Sequence, residues 1–165
     1  MGTFKVKGGN NLSGIIIPQG AKNEALQVIS AVLLTEKIVT IDNIPNIIDV
    51  NRLIDLLDNL GVTVKKINQN KYSFESKNID LDYLNSSDFE TKAKGLRGSI
   101  MIIGPLLSRF GKASIPKPGG DKIGRRKLDT HFEGLVKLGA NFKYDNKNYR
   151  YNVTANKLKG SYISV

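Results

Sequence analysis

The feature that most constrains this chain is a repeat of its own pattern. Leu60-Gly61-Val62-Thr63-Val64 returns later in the chain as Leu138-Gly139-Ala140-Asn141-Phe142, and Thr40-Ile41 returns as Ser114-Ile115. The first pair of segments is spaced slightly wider than the second, and the extra residues fall in the loop before the second of two amphipathic helices. A pattern used twice at nearly constant spacing implies one supersecondary unit used twice, with the copies packed around shared helices. Each unit reads as helix, strand, helix, strand, strand, so the fold class is α/β (α+β).

Periodicity supplies the elements. In the first copy, apolar residues at helical spacing (Ala25, Leu26, Ile29, Val32, Leu33) predict a helix over 23–34. Residues 37–43 predict a strand. Residues 50–60 predict a strongly amphipathic helix closed by Gly61. Residues 62–67 and 71–75 predict a hairpin. Residues 78–94 are polar and read as a connection with a short helix. The second copy predicts an apolar helix over 96–107 and a strand over 111–115. A helix over 128–138, closed by Gly139, and a hairpin over 141–144 and 149–153 follow. Outside the repeat, residues 4–7, 13–18 and 161–165 read as strands.

The chain has 165 residues and no cysteine, which excludes disulfides, thiolate metal sites and a cysteine nucleophile within it. One histidine leaves no multi-histidine metal site. Residues 1–7 lack the apolar core of a signal peptide. The longest apolar runs, 28–34 and 100–107, fall far short of the roughly 20 residues a membrane span needs. The expectation is a cytoplasmic protein with no membrane partner. The net charge of +10 invites anionic ligands, although lysines spread among abundant Asn and Ile also fit biased codon usage.

Four segments could carry chemistry. Gly20-Ala21-Lys22-Asn23 stands at a strand-to-helix junction, where backbone N–H groups attract anions and a lysine adds full charge. A simple helix cap is the alternative. Lys117-Pro118-Gly119-Gly120-Asp121-Lys122-Ile123-Gly124-Arg125-Arg126 is a glycine-rich loop with cationic donors around one carboxyl. Asp121, drawn to its ionised form by the cations and to its acid form by burial, could act as general acid or base. A charged surface turn is the alternative, and no Gly-Lys-Ser/Thr follows to make a Walker loop. Arg97, at a helix start, opposes the helix dipole and calls for an anion nearby, unless it is simply solvated. Asp129-Thr130-His131 offers a helix cap and a lone histidine, with no support for a Ser-His-Asp triad.

Taken together, Gly20-Ala21-Lys22-Asn23, Leu96-Arg97-Gly98-Ser99-Ile100, Gly104-Pro105-Leu106, Pro118-Gly119-Gly120, Ile123-Gly124-Arg125-Arg126 and Leu128-Asp129-Thr130-His131 resemble the UDP-N-acetylglucosamine 1-carboxyvinyltransferase family. The resemblance runs from Phe4 to about Gly160. The sister family acting on shikimate 3-phosphate shares the fold but usually has Lys-Ser where this chain has Lys22-Asn23.

The resemblance implies an inside-out α/β barrel of repeated βαβαββ units, with the active site between two lobes. Residues 1–20 would belong to the other lobe or the crossover. Residues 21–90 and 91–160 would be two units of one lobe, with a third beginning after them. The partners implied are phosphoenolpyruvate, UDP-N-acetylglucosamine and the rest of the same chain beyond residue 165; no cofactor, metal or nucleic acid is implied. Lys22 would contact phosphoenolpyruvate and Asn23 the sugar. Arg126 would hold the phosphate or carboxylate of phosphoenolpyruvate, and Arg97 would face the same cleft. Arg126, Lys127, Leu128 and Asp129 would line the uridine side, with His131 near the phosphates. Asp121 falls where the family most often has the cysteine attacked by fosfomycin, and some members have aspartate there. The resemblance therefore implies proton transfer by Asp121 and fosfomycin resistance. Other active-site residues of the family lie beyond residue 165, so the 165 residues alone are expected to be inactive.

Three alternatives remain. A 3-phosphoshikimate 1-carboxyvinyltransferase-like enzyme shares the fold. A basic nucleic-acid-binding module fits the charge but lacks an aromatic RNA-binding pattern, a helix-turn-helix signal and zinc spacing. A degenerate relative kept for interaction would not need Lys22, Arg97 and Arg126.

Overall fold

The computed structural model describes residues 2–119 and 128–164. Its two halves repeat one arrangement. In the first, α1 (Lys22–Ala31) runs into a 3-10 turn (Val32–Leu34), then β1 (Val39–Ile41), α2 (Ile48–Asn59), β2 (Thr63–Asn68) and β3 (Lys71–Glu75). In the second, a 3-10 segment (Arg97–Ile102) runs into α4 (Ile103–Phe110), then β4 (Lys112–Pro116), α5 (Asp129–Lys137), β5 (Asn141–Asp145) and β6 (Arg150–Thr154). A 3-10 turn (Tyr83–Asn85) and α3 (Ser87–Lys94) connect them.

Each half carries a three-stranded antiparallel sheet with its last strand in the middle, in the orders β1-β3-β2 and β4-β6-β5. The registers correspond. Phe74 sits between Val39 and Val64, as Val153 sits between Ala113 and Phe142. Both central residues are buried, because a side chain on the inner face of a middle strand is covered by both neighbours and by the helices above.

The repeated Leu-Gly pair explains how each helix turns into its hairpin. Gly61 (φ 101°) and Gly139 (φ 98°) take up left-handed conformations that only glycine adopts without cost. The reversal brings the N–H of Val62 to the Leu57 carbonyl and that of Ala140 to the Leu135 carbonyl, each at 3.0 Å. The Leu60 and Leu138 carbonyls then accept from Asp80 and Lys159 at 2.9 and 2.8 Å. The repeat is therefore one of hydrogen bonds as well as letters.

The helices share a single core. Ile29, Leu33, Leu53, Leu56, Leu57 and Leu60 are fully buried together with Phe89 of the connecting α3 and with Ile102 and Leu106 of the second half. Each such side chain contributes about 1.5–3 kcal/mol relative to exposure. Arg109 joins the halves. It donates to the carbonyls of Leu33 (3.1 Å) and Ser76 (2.7 Å) and pairs with Glu36 (2.9 Å).

Three expectations fail. The apolar stretch 96–107 is no single α-helix. Pro105 lacks the N–H that would bond the Met101 carbonyl, and its ring would clash there, so α-helix starts only at Ile103 and the preceding turns are 3-10. Residues 4–7 and 13–18 form no strands, and Phe4, Ile15, Ile16 and Ile17 are exposed. Residues 161–164 likewise form none. Alternation supplies an apolar face, but a strand exists only in a ladder, and no described segment pairs with these.

The two long helices differ. On α2, the positions Leu53, Leu56, Leu57 and Leu60 are sealed. Their counterparts in the second copy, His131, Gly134, Leu135 and Leu138, line an open groove of about 410 Å³ with Ile100, Met101, Ile103 and Gly104. The inner face of α2 is covered by α1 of its own half, by the connecting α3 and by the Arg97–Ile102 segment of the second half.

Candidate functional site

Lys22 is the first residue of α1. The cap residue before it, Ala21, is extended and offers no side chain to the orphan N–H groups. Asn23 is therefore not the cap: it is the second helical residue and is exposed. This leaves a helix start with a positive dipole end, uncapped by any side chain, and a lysine beside it, an arrangement suited to anions.

Lys22 is held from the side. Its Nζ donates to Asp49 Oδ2 at 2.6 Å, a pairing between residues distant in sequence. Asp49 stands in the first turn of α2, so the pair ties together two helix starts. Both side chains keep about a third or more of their surface in solvent.

Arg97 begins the 3-10 segment Arg97–Ile102 and is half-buried. Its neighbour Gly98 packs on Leu26, one turn along α1 from Lys22; a Cβ at Gly98 would stand 3.1 Å from Leu26 Cδ1. Arg97 is thus delivered to the same end of the fold as Lys22. The chain leaving β4 comes there too. Gly119 lies so close to the Lys94 carbonyl oxygen that a Cβ would overlap it, which is why this position must be glycine. On its other side, the Lys94–Gly95 turn receives Arg52 of α2, whose Nη1 donates to the Gly95 carbonyl at 3.2 Å.

Leu128, Asp129 and His131 stand at the start of α5, with Leu128 half-buried and the other two exposed. His131 lines the groove beside Ile100 and Gly104. Burial, then the charges of Tyr144 and Asp129, push the Tyr151 phenol of β6 above its ordinary value. The segment 97–104 therefore links two groups of candidate residues. Lys22 and Arg97 lie where its start meets α1, and His131 lies where its later turns face α5. Asp121, Arg126 and Lys127 lie outside the described residues. Among the described residues, no three His, Asp or Glu side chains form a metal-holding group, and no helix is long and apolar enough to cross a membrane.

Two polar residues that sequence reasoning missed support this framework. Arg150 is 8% exposed and donates to the Leu84 carbonyl and, at 3.1 Å, to Ser114 Oγ, pinning β6 to the connection between halves. Burial lowers its affinity for the proton, partly offset by Glu90 and Asp145. Asp49 is the other. A carboxylate in a helix's first turn satisfies the dipole, so nothing in the sequence marks the distant lysine it pairs with.

The arrangement places Lys22 at a helix start with no side-chain cap among the described residues, a setting suited to an anion. It has counterparts among known proteins. Over 163 residues the chain is 57% identical to the UDP-N-acetylglucosamine 1-carboxyvinyltransferase of Bacteroides thetaiotaomicron, covering 99% of this chain and 38% of that protein. It is 53% identical to the protein of the same name from Porphyromonas gingivalis, with the same coverage. The chain thus spans well under half the length of these relatives. Among solved structures, the enolpyruvyl transferase NikO from Streptomyces tendae shares the fold, with a TM-score of 0.68 at 19% identity over 92% of this chain and 32% of NikO. An EPSP synthase from Acinetobacter baumannii aligns with a TM-score of 0.51 at 11% identity, over 87% of this chain and 32% of that one. Residues 6–165 match the pattern of the EPSP synthase (3-phosphoshikimate 1-carboxyvinyltransferase) family, and the chain belongs to that family.

Proposed function

We propose that these residues are the N-terminal part of a cytoplasmic enzyme that transfers the enolpyruvyl group of phosphoenolpyruvate to the 3-hydroxyl of UDP-N-acetylglucosamine, the first committed step of peptidoglycan synthesis. The observation that carries this reading is the 57% identity across 99% of the chain to a protein named for that reaction. Identity of this order favours the UDP-sugar over shikimate 3-phosphate as acceptor, as does Asn23 following Lys22.

The chemistry is addition followed by elimination. The sugar 3-oxygen bonds to C2 of phosphoenolpyruvate while C3 takes a proton, giving a tetrahedral ketal phosphate. Loss of a proton from C3 then restores the double bond as the C2–O bond breaks and phosphate leaves. Negative charge gathers on the phosphate and carboxylate, so fixed cations lower the barrier. Lys22 at its helix start and Arg126 serve that role, with Arg97 facing the same cleft. Asn23 contacts the sugar. Arg126, Lys127, Leu128 and Asp129 line the uridine side, and His131 stands near the phosphates. Asp121 moves the proton.

The rest of the site comes from chain beyond residue 165, within an inside-out barrel built of these units. The open face of α5 supports a third unit: its counterpart on α2 is covered in part by chain that follows it, α3 and the Arg97–Ile102 segment. Residues 1–20 belong to the other lobe or the crossover.

The test is phosphate release from phosphoenolpyruvate by the full-length protein, with UDP-N-acetylglucosamine or shikimate 3-phosphate as acceptor. Release that depends on the UDP-sugar supports the reading; release only with shikimate 3-phosphate assigns the sister reaction. Residues 1–165 alone release none. Asp121→Asn lowers kcat at least about 100-fold while UDP-sugar binding is kept. Asp121→Cys retains turnover and gains fosfomycin sensitivity; continued resistance argues against the loop's role.

A further inference from the structure

We infer that Asp49 is a positioning residue for the transfer reaction, holding the Lys22 ammonium where phosphoenolpyruvate must meet it. The inference rests on the reading of Lys22 given above.

Lys22 occupies a place that electrostatics alone disfavours, the positive end of α1. Its four-carbon stem is flexible, so an untethered ammonium would sample many positions and lose that freedom on binding substrate. Asp49 removes both difficulties. Its Oδ2 accepts from Nζ at 2.6 Å, and its own place at the start of α2 fixes the carboxylate to a helix whose inner face is fully buried. An ammonium has three donor hydrogens. One directed at Asp49 leaves two for an anion, and the pair sets their direction in advance. An ion pair this exposed contributes little to stability, so stability gives no reason for it.

A purely structural role remains to be separated, since Asp49 also complements the dipole of α2. The two roles differ in their dependence on Lys22. Dipole stabilisation is independent of residue 22, whereas positioning vanishes once the lysine is gone.

The experiment uses the full-length protein and measures UDP-N-acetylglucosamine-dependent phosphate release for wild type, Asp49→Asn, Asp49→Glu, Lys22→Gln and Lys22→Gln/Asp49→Asn, with UDP-sugar binding measured separately. The account expects Asp49→Asn to lower kcat/KM for phosphoenolpyruvate about 10- to 100-fold, mostly through KM, with UDP-sugar affinity changed less than about twofold. Asp49→Glu recovers part of the loss. In the Lys22→Gln background, Asp49→Asn changes kcat/KM less than about twofold. An equal loss in both backgrounds, or no loss in wild type while Lys22→Gln is crippled, overturns the positioning role and leaves the proposed reaction standing. Absence of UDP-sugar-dependent release by the wild type overturns the reaction and this inference with it.

Discussion

Replacing Gly119 by alanine tests how the fold feeds the proposed catalytic loop. A Cβ at this position would overlap the carbonyl oxygen of Lys94, a backbone atom in the turn that ends α3 and leads to Arg97. That oxygen cannot swing aside as a side chain would. The β4 exit must instead retreat by about 1 Å to restore van der Waals separation. Asp121 and Arg126 follow closely in sequence, so under the roles proposed for them a shift of Gly119 is expected to lower activity. Misplacement of a reacting group by about 1 Å costs on the order of 100-fold in rate. Gly119 is itself exposed and outside the core, so stability should change by no more than about 1 kcal/mol. The assay pairs steady-state kinetics of the full-length protein with its thermal midpoint. The expected result is kcat/KM reduced roughly 30- to 100-fold with the midpoint nearly unchanged. Wild-type kinetics in Gly119→Ala would refute the argument that this contact sets the loop's path.

Three further outcomes follow from the structure. Gly61→Ala should destabilise more than Gly139→Ala: both incur left-handed strain of about 1 kcal/mol, but a Cβ at Gly61 also overlaps the Asn78 carbonyl, whereas at Gly139 the nearest atom is the Lys157 oxygen at 3.5 Å. Equal shifts of the urea midpoint would contradict this. Ser76→Ala should be neutral or stabilising by up to about 1 kcal/mol, since the Ser76 hydroxyl is buried with no hydrogen-bond partner among the described residues and the repeat places Ala155 at the corresponding position; a loss of more than about 1 kcal/mol would mean the hydroxyl has a role. The third outcome concerns pH. Lys71, Tyr83, Lys94 and Asn148 hold the carboxyls of Asp42, Asp88, Glu90 and Asp145 respectively below their ordinary values. A lowered folded-state pKa gives stability present above the unfolded value and lost as pH falls through the folded one. The urea midpoint should therefore be flat from about pH 7 to about pH 5 and fall below about pH 4. Because these groups are exposed, the fall should weaken in high salt.

Much of the fold was legible because its main signals are local. The Leu-Gly pairs marked both helix ends, and each glycine proved to be a left-handed residue closing a helix onto a hairpin. The hairpins were legible from alternation, and their matching registers followed from the repeat. Failures came where the outcome depends on distant partners. Ile15-Ile16-Ile17 reads as a strand, yet an apolar run does not make a ladder by itself. Stretch 96–107 has helical periodicity throughout, but Pro105 and the close fit of Gly98 on Leu26 divide it.

The candidate site was legible in part. Lys22 stood out because it adds charge to a helix start that attracts anions, and Arg97 because a cation at a helix start opposes the dipole; the structure brings both to the contact between α1 and the Arg97–Ile102 segment. The partner of Lys22 was not legible. Asp49 satisfies its own helix in sequence, and only the packing of α1 on α2 brings it to the ammonium. His131 could not be assigned a side from the sequence, since its counterpart Leu53 is buried while His131 lines an open groove.

The most direct test of the central claim is the identity of the product. The full-length protein is incubated with phosphoenolpyruvate and an equimolar mixture of UDP-N-acetylglucosamine and shikimate 3-phosphate, and the nucleotide and sugar fractions are analysed by mass spectrometry alongside released phosphate. The account predicts that UDP-N-acetylglucosamine gains one enolpyruvyl unit for each phosphate released, and that shikimate 3-phosphate is unchanged. An enolpyruvyl unit on shikimate 3-phosphate, or phosphate released with neither acceptor modified, would contradict it.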